Sequence, residues 1–219
     1  MDYDFSKIIG SDLKLHKGEF TFDDVPQYLF DNGKLKGITD RIYLITYLLI
    51  RKVKPKAVVE TGVSHGVSSS FILSALHENG YGHLYSIDKP AYDHRLKGTT
   101  EESKIFHLDD GLDYTVKDGF VPGDYVPEFL RKRWTLILGD AKKELPPLLK
   151  KIRDVTIFMH DSLHTYEHML FEYQTAWPFI EKKGFLLSHD ITWNRAFGDF
   201  AEKKKRVPVV YNNFGIIKK

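Results

Sequence analysis

The chain has 219 residues, 42% of them hydrophobic and 14% aromatic, with 32 basic against 30 acidic side chains and a formal charge of +2. That length supports one sizeable core rather than two domains, and the composition is not that of a disordered chain. Near-neutrality offers no broad basic face for nucleic acid, and the absence of cysteine excludes disulfides, thiolate metal sites and cysteine nucleophiles.

The opening MDYDFSKIIG lacks the basic-then-apolar build of a secretory signal. The longest apolar stretch, Ile42–Ile50, is about half of the ~20 residues a membrane span needs. A soluble, cytoplasmic protein is expected, with no membrane partner. Residues 1–38, with the turn-rich NGKLKG, read as an N-terminal arm, and 39–219 as one domain.

In chain order, Thr39 and Asp40 cap a helix that is apolar on most faces and that Pro55 stops. Its apolar surface also offers a place for self-association into a homo-oligomer. KAVVETG reads as a buried strand running into a glycine turn, and SSSFILSALHENG as a helix with Phe71, Ile72, Leu73 and Leu76 inward. GHLYSID is a second strand. The polar stretch Lys89–Arg133, including AYDHR and DYVPEF, is expected to form loops and short helices that act as a lid.

WTLILGD, VTIFMHD and GFLLSHD read as further strands, separated by the helices AKKELPPLLKKI and YEHMLFEYQTAWPFI, the latter bent or ended by Pro178. Tyr166, Tyr173 and Trp177 fall on its apolar stripe. Lys203–Arg206 reads as a solvated helix end. VPVVY and FGIIKK form a closing strand pair across Asn212-Asn213. Strands alternating with helices imply a doubly wound, mostly parallel α/β sheet of seven strands with a C-terminal antiparallel pair.

Ligands of such sheets bind beyond the carboxyl ends of the strands. There the sequence places Glu60 to Gly66, Asp88, Asp140, His160-Asp161 and His189-Asp190. The dinucleotide fingerprint fails, because Gly62 is followed by Ser64 and then Val67. An acid ahead of the glycines repels a pyrophosphate but suits an ammonium group, so the ligand reads as a nucleoside with an amino-acid tail. Asp88 is placed to accept ribose hydroxyls and Asp140 to reach an adenine amino group; a turn or helix cap is the alternative for each.

The order of these elements resembles the class I S-adenosylmethionine-dependent methyltransferases, with their Rossmann-like sheet. More narrowly, MHDSLHTYEHM, LLSHDITWNRAFGDF and NNFGIIKK resemble the family of macrocin O-methyltransferase and the cephalosporin hydroxylase-like proteins. The resemblance implies S-adenosylmethionine as cofactor, held by Glu60, Gly62, Ser64, Gly66 and Ser68, with Asp88 on the ribose and Asp140 on the adenine. It implies a divalent metal, Mg2+ or Mn2+, on Asp161, His189 and Asp190, and His164 as general base. At His189 the chain departs from the family, where an oxygen ligand is usual. Either the metal is softer, or His189 lies beside it.

Metal-assisted methylation of a small-molecule or glycosyl hydroxyl, catalysed by Asp161 and His164, is therefore the expected activity. His160 is expected to pack behind the site, His168 to line it or face solvent, and His65 to flank the cofactor. Trp193 and Asn194 are expected over the acceptor pocket. The rival readings are a nicotinamide-dependent oxidoreductase and a non-catalytic nucleoside-binding protein.

Overall fold

The computed structural model describes residues 21–31, 33–89 and 121–219, together with the backbone strands 103–107 and 113–117. Its strands are β1 (Ala57–Thr61), β2 (His83–Asp88), β3 (Ser103–His107), β4 (Asp113–Lys117), β5 (Trp134–Leu138), β6 (Val155–His160), β7 (Ile180–Ser188), β8 (Val209–Tyr211) and β9 (Phe214–Lys218). Its helices are α1 (Tyr28–Asp31), α2 (Arg41–Val53), α3 (Val67–Asn79), α4 (Ala141–Ile152), α5 (Tyr166–Ala176) and α6 (Ala196–Lys203).

Seven strands form one sheet in the order β5-β2-β1-β6-β7-β9-β8. Pairings from β5 to β7 are parallel, while β9 runs antiparallel to both β7 and β8. The expected doubly wound sheet with a terminal antiparallel pair is what forms. Every residue of β1 and β6 is buried, as expected for central parallel strands covered on both faces.

Strand alternation divides the core in two. Val58, Ile157, Met159 and Leu187 face one apolar layer, built on α2 and α3. Val59, Phe158 and Leu186 face the other, built on α4, α5 and α6. One-residue steps along a strand thus feed opposite layers.

Helix α2 begins where the Asp40 carboxylate accepts a bond from Ile42 N (3.1 Å) and ends at Lys54 in the left-handed conformation, φ 49°. Its apolar residues, Ile42 and Leu44 to Ile50, are already buried within the chain. Val25, Leu29 and Leu35, from the stretch read as an arm, join the same core.

The lid stretch differs from expectation. Instead of loops and short helices alone, β3 and β4 pair antiparallel, Ile105 opposite Thr115, as a separate two-stranded sheet. Ile105, Phe106, Tyr114, Thr115 and Val116 are strong strand formers, a signal diluted by the polar residues around them. A 3-10 helix, Glu128–Arg133, follows. AYDHR lies outside the described residues. No helix among the described residues is long and apolar enough to cross a membrane.

Candidate active site

The carboxyl end of β1 turns sharply at Gly62, whose φ of +83° is left-handed and whose N–H donates to Ile87 O at 2.9 Å. A Cβ there would lie 1.9 Å from the Asp161 carbonyl oxygen, so only glycine lets the β1 turn touch the end of β6. Gly66, at φ +84°, caps α3 and presses on Gly123 and Val126, which a Cβ would meet at 2.9 and 2.8 Å. The turn is tied to β2 as well: Val63 N donates to Asp88 Oδ1 at 3.0 Å. Burial pushes the Asp88 carboxyl up, and the N–H groups of Val63 and Ser64 pull it partly back.

Glu60 is placed differently from the expectation. The resemblance puts it on the methionine part of the cofactor, together with Ser68. Its carboxylate is instead fully buried and accepts hydroxyl bonds from Ser68 (2.6 Å), Ser69 (2.6 Å) and Ser86 (2.8 Å). Burial raises its pKa while the three hydroxyls lower it. A carboxylate held by three hydroxyls braces the start of α3 under the glycine turn.

Asp140 takes the capping alternative. It is the N-cap of α4, accepting from Lys142 N at 2.9 Å, with the Lys89 ammonium 3.2 Å from its other oxygen. Slight burial raises its pKa, but these donors bring it below the usual carboxylate range. Gly139 N donates to Asp88 O at 2.8 Å, so Asp140 still stands beside the end of β2.

The far end of the lid stretch closes over the glycine turn, a contact sequence reading missed. Gly123 N donates to Ser64 O (2.8 Å) and Tyr125 N to His65 O (2.9 Å). The His65 ring stacks on Tyr125 at 4.5 Å and pairs through Nδ1 with Asp124 Oδ1 at 2.8 Å. His65 is thus held within the turn by Tyr125 and Asp124.

At the ends of β6 and β7, side-chain ligand atoms of Asp161, His164 and Asp190 lie within 4.8 Å of one another. His164 Nε2 is 3.6 Å from Asp161 Oδ1 and 3.5 Å from Asp190 Oδ2. That nitrogen is buried and has no hydrogen-bond partner among the described residues. Backbone bonds fix the arrangement: Asp161 N donates to Thr61 O (2.8 Å) and His189 N to His160 O (3.0 Å). Asn194 Nδ2 donates to His164 O (2.9 Å), and Asn213 Nδ2 to Asp190 Oδ1 (2.6 Å).

The electrostatics disfavour ionisation of both carboxyl groups. Burial, then the charges of Asp190 and Glu60, push the Asp161 carboxyl well above its ordinary range. Burial also raises Asp190, with Asn213 opposing. His164 is held down to about 3, by burial first and then by His160 and His189.

His189, expected as a metal ligand, is not in this set. Its Nδ1 is 3.7 Å from Asp161 Oδ1, and its ring packs edge-on against Phe214 at 5.0 Å. Its side chain sits beside the carboxylates, and its Nε2 is likewise buried with no hydrogen-bond partner among the described residues. Burial and His160 lower the His189 pKa from 6.5 to about 4. The unfolded chain then binds the extra proton between those values, so this contribution to stability is present above pH 6.5 and is lost as pH falls toward 4. Denaturant unfolding should show His189→Gln losing less stability than the wild type across that window, by on the order of 3 kcal/mol.

Beneath this rim lies a residue that sequence reading passed over. Glu172 of α5 is fully buried and accepts from Thr61 Oγ1 (2.5 Å), His160 Nδ1 (2.7 Å), Ser162 Oγ (2.8 Å) and His168 Nε2 (2.9 Å). Burial alone would raise its pKa, but His160 and His168 hold it well below the usual range. The only clue in the sequence was the i, i+4 spacing of His168 and Glu172 on a helix. His160 packs behind the site, as expected. His168 is buried against Glu172, which excludes the solvent-facing alternative.

Tyr173 and Trp177 are core residues, but Tyr166, expected there too, is 37% exposed and donates to Asp199 Oδ2 at 3.0 Å. It begins α5, ahead of His168, the first buried residue of that helix. Trp193 is 54% exposed with its ring 5.2 Å from that of His164.

No curated protein matches the chain. Among solved structures it resembles the O-methyltransferase NovP, with 14% identity, a TM-score of 0.62 and coverage of 83% of this chain and 81% of NovP. It also resembles the Podospora anserina methyltransferase PaMTH1 bound to SAH, with 12% identity, a TM-score of 0.56 and coverage of 88% of each chain. A third likeness is MycE from the mycinamycin biosynthetic pathway, in complex with Mg and SAH. There the identity is 13%, the TM-score 0.54 and the coverage 89% of this chain and 55% of MycE. At such identities these neighbours establish the fold. Residues 59–191, more than half of the chain, match the family model described as a methyltransferase domain. The span includes the glycine turn, Asp88 and the Asp161–His164–Asp190 rim, and the chain belongs to the class I S-adenosylmethionine-dependent methyltransferases.

Proposed function

We propose that the protein transfers a methyl group from S-adenosylmethionine to a hydroxyl of a small-molecule or glycosyl acceptor, with a divalent cation held by Asp161, His164 and Asp190. The observation that carries this reading is the convergence of those three residues next to the glycine turn of β1. Their fit to a cation rests on the buried, unpartnered His164 Nε2 facing two carboxyl groups that are both raised, by burial first. One imidazole with two carboxylates suits Mn2+, Fe2+ or Zn2+ better than Mg2+, which strongly prefers oxygen.

The reaction forms an acceptor O–C bond, breaks the S–C bond of the sulfonium and releases the acceptor proton. Aligning the reacting atoms is the larger part of the enzyme's task. The glycine turn with Asp88 supports the nucleoside side, and the exposed Trp193 indole offers a flat face for an acceptor ring. A bound divalent cation supplies Lewis-acid polarisation of the acceptor oxygen. His164, held near 3, is a poor proton acceptor at neutral pH, and its place between two carboxylates suits a ligand rather than the general base expected from the resemblance.

Methyl transfer from labelled S-adenosylmethionine to phenolic and glycosyl hydroxyls, with and without EDTA and added Mn2+, tests the activity. His164→Ala tests the assignment within it. Loss of Mn2+ binding together with turnover is expected. Intact Mn2+ binding with turnover alone lost would return His164 to the role of base.

A further inference from the structure

Glu172 belongs to neither the cofactor turn nor the proposed cation set, yet it holds both. Its Oε2 takes Thr61, the residue before Gly62, at 2.5 Å, and His160, the residue before Asp161, at 2.7 Å. Its Oε1 takes Ser162, the residue after Asp161, at 2.8 Å, and His168 at 2.9 Å. An ionised carboxylate only accepts, so four donors fill its oxygens, and the protons of His160 and His168 are fixed on Nδ1 and Nε2 respectively.

A carboxylate with no solvent exposure carries a desolvation cost that an apolar side chain at this helix position would avoid. The cost is offset here by bonds to the two strand ends that meet at the site. Asp161 N already donates to Thr61 O (2.8 Å), and the Gly62 turn touches the Asp161 carbonyl. Glu172 is the side chain that locks this junction from below.

We propose that Glu172 is a positioning residue that sets the cofactor turn and the cation-binding rim in one mutual geometry. Through Thr61 it fixes the entry to Gly62. Through His160 and Ser162 it fixes Asp161 from both sides. The cation half of this role rests on the reading given above; the cofactor half rests on the family alone. Glu172 touches no reacting atom, so its effect appears in binding before it appears in turnover.

The test measures SAH affinity by calorimetry and Mn2+ affinity by electron paramagnetic resonance on the full chain. Glu172→Gln presents an N–H group to two of the four donors. It should weaken both ligands at least about tenfold, the scale seen when residues supporting metal ligands are changed. Thr61→Val removes the bond toward the glycine turn, with a longer contact to Met159 O (3.5 Å), and should weaken SAH several-fold, leaving Mn2+ within about twofold. Ser162→Ala should do the reverse.

Retention of both affinities in Glu172→Gln would overturn the proposal, as would parallel losses in the two single-bond variants. If Glu172→Gln does not fold, the single-bond variants decide. If the wild type binds SAH but not Mn2+, the cation reading fails, and the SAH response of Thr61→Val still decides the role of Glu172 at the cofactor turn.

Discussion

Asp161→Asn should abolish Mn2+ binding and lower methyl transfer on the order of 10^3-fold, while leaving the metal-free protein as stable as the wild type or more so. The first half follows from losing one of only two carboxylates in the proposed set, and with it the charge that holds a cation at the acceptor oxygen. The second half follows from electrostatics. Burial and the charges of Asp190 and Glu60 all oppose ionisation of Asp161, so in the absence of a cation the carboxylate is a liability to the fold. Asparagine keeps the shape and removes the repulsion, the usual conflict between a functional group and stability. Melting temperatures of both proteins with EDTA and with Mn2+ read the two halves separately. Mn2+ should raise the melting temperature of the wild type and leave that of the variant unmoved. A marked destabilisation of the metal-free variant would mean that Asp161 is a structural hydrogen-bonding residue instead.

Gly62→Ala should be the most destabilising single methyl addition at the site. The added carbon would lie 1.9 Å from the Asp161 carbonyl oxygen and 2.4 Å from its carbon, and both are backbone atoms. Neither side can yield, because Gly62 N is bonded to Ile87 O and Asp161 N to Thr61 O, at 2.9 and 2.8 Å, in the central strands. The left-handed φ of +83° adds roughly 1–2 kcal/mol for any residue with a Cβ. A total loss of about 4 kcal/mol or more is expected, roughly 8–16 °C in melting temperature for a chain of this size. SAH binding should fall with it, since the same movement opens the cofactor turn. Ser64→Ala two residues on, where the backbone rather than the side chain makes the contact to Gly123, should change stability by less than about 1 kcal/mol. A mild Gly62→Ala would show that β1 and β6 part more easily than their pairing implies.

The legibility of this chain divides along a physical line. The strands were readable because each central one is a mainly apolar run followed by an acid: AVVE, LYSID and VTIFMHD announce both a strand and its carboxyl end. Helix limits were readable from local chemistry, as at Asp40, at Gly80 in the left-handed conformation, and at Pro178. The rim followed, since parallel topology sends all carboxyl ends to one side. Gly62 could be named from its pattern, but that it is needed for contact with Asp161 could not, because the two are far apart in sequence.

What the sequence left open was the partner that each polar side chain at the strand ends takes. Glu60 and Asp161 both stand at strand ends, yet three hydroxyls draw Glu60 into the protein while Asp161 faces a second carboxylate. His164 and His189 looked like base and ligand. Packing against Phe214 keeps His189 to one side, and the Asn194 bond to the His164 carbonyl brings His164 between the acids. Glu172 had no strand end to announce it. It was hidden on a helix and became visible only when α5 was laid across β1 and β6. Local pattern is written in near neighbours and survives in one dimension. Partner choice among buried polar groups is settled by which donors the folded chain brings within about 3 Å, and only the assembled layers decide that.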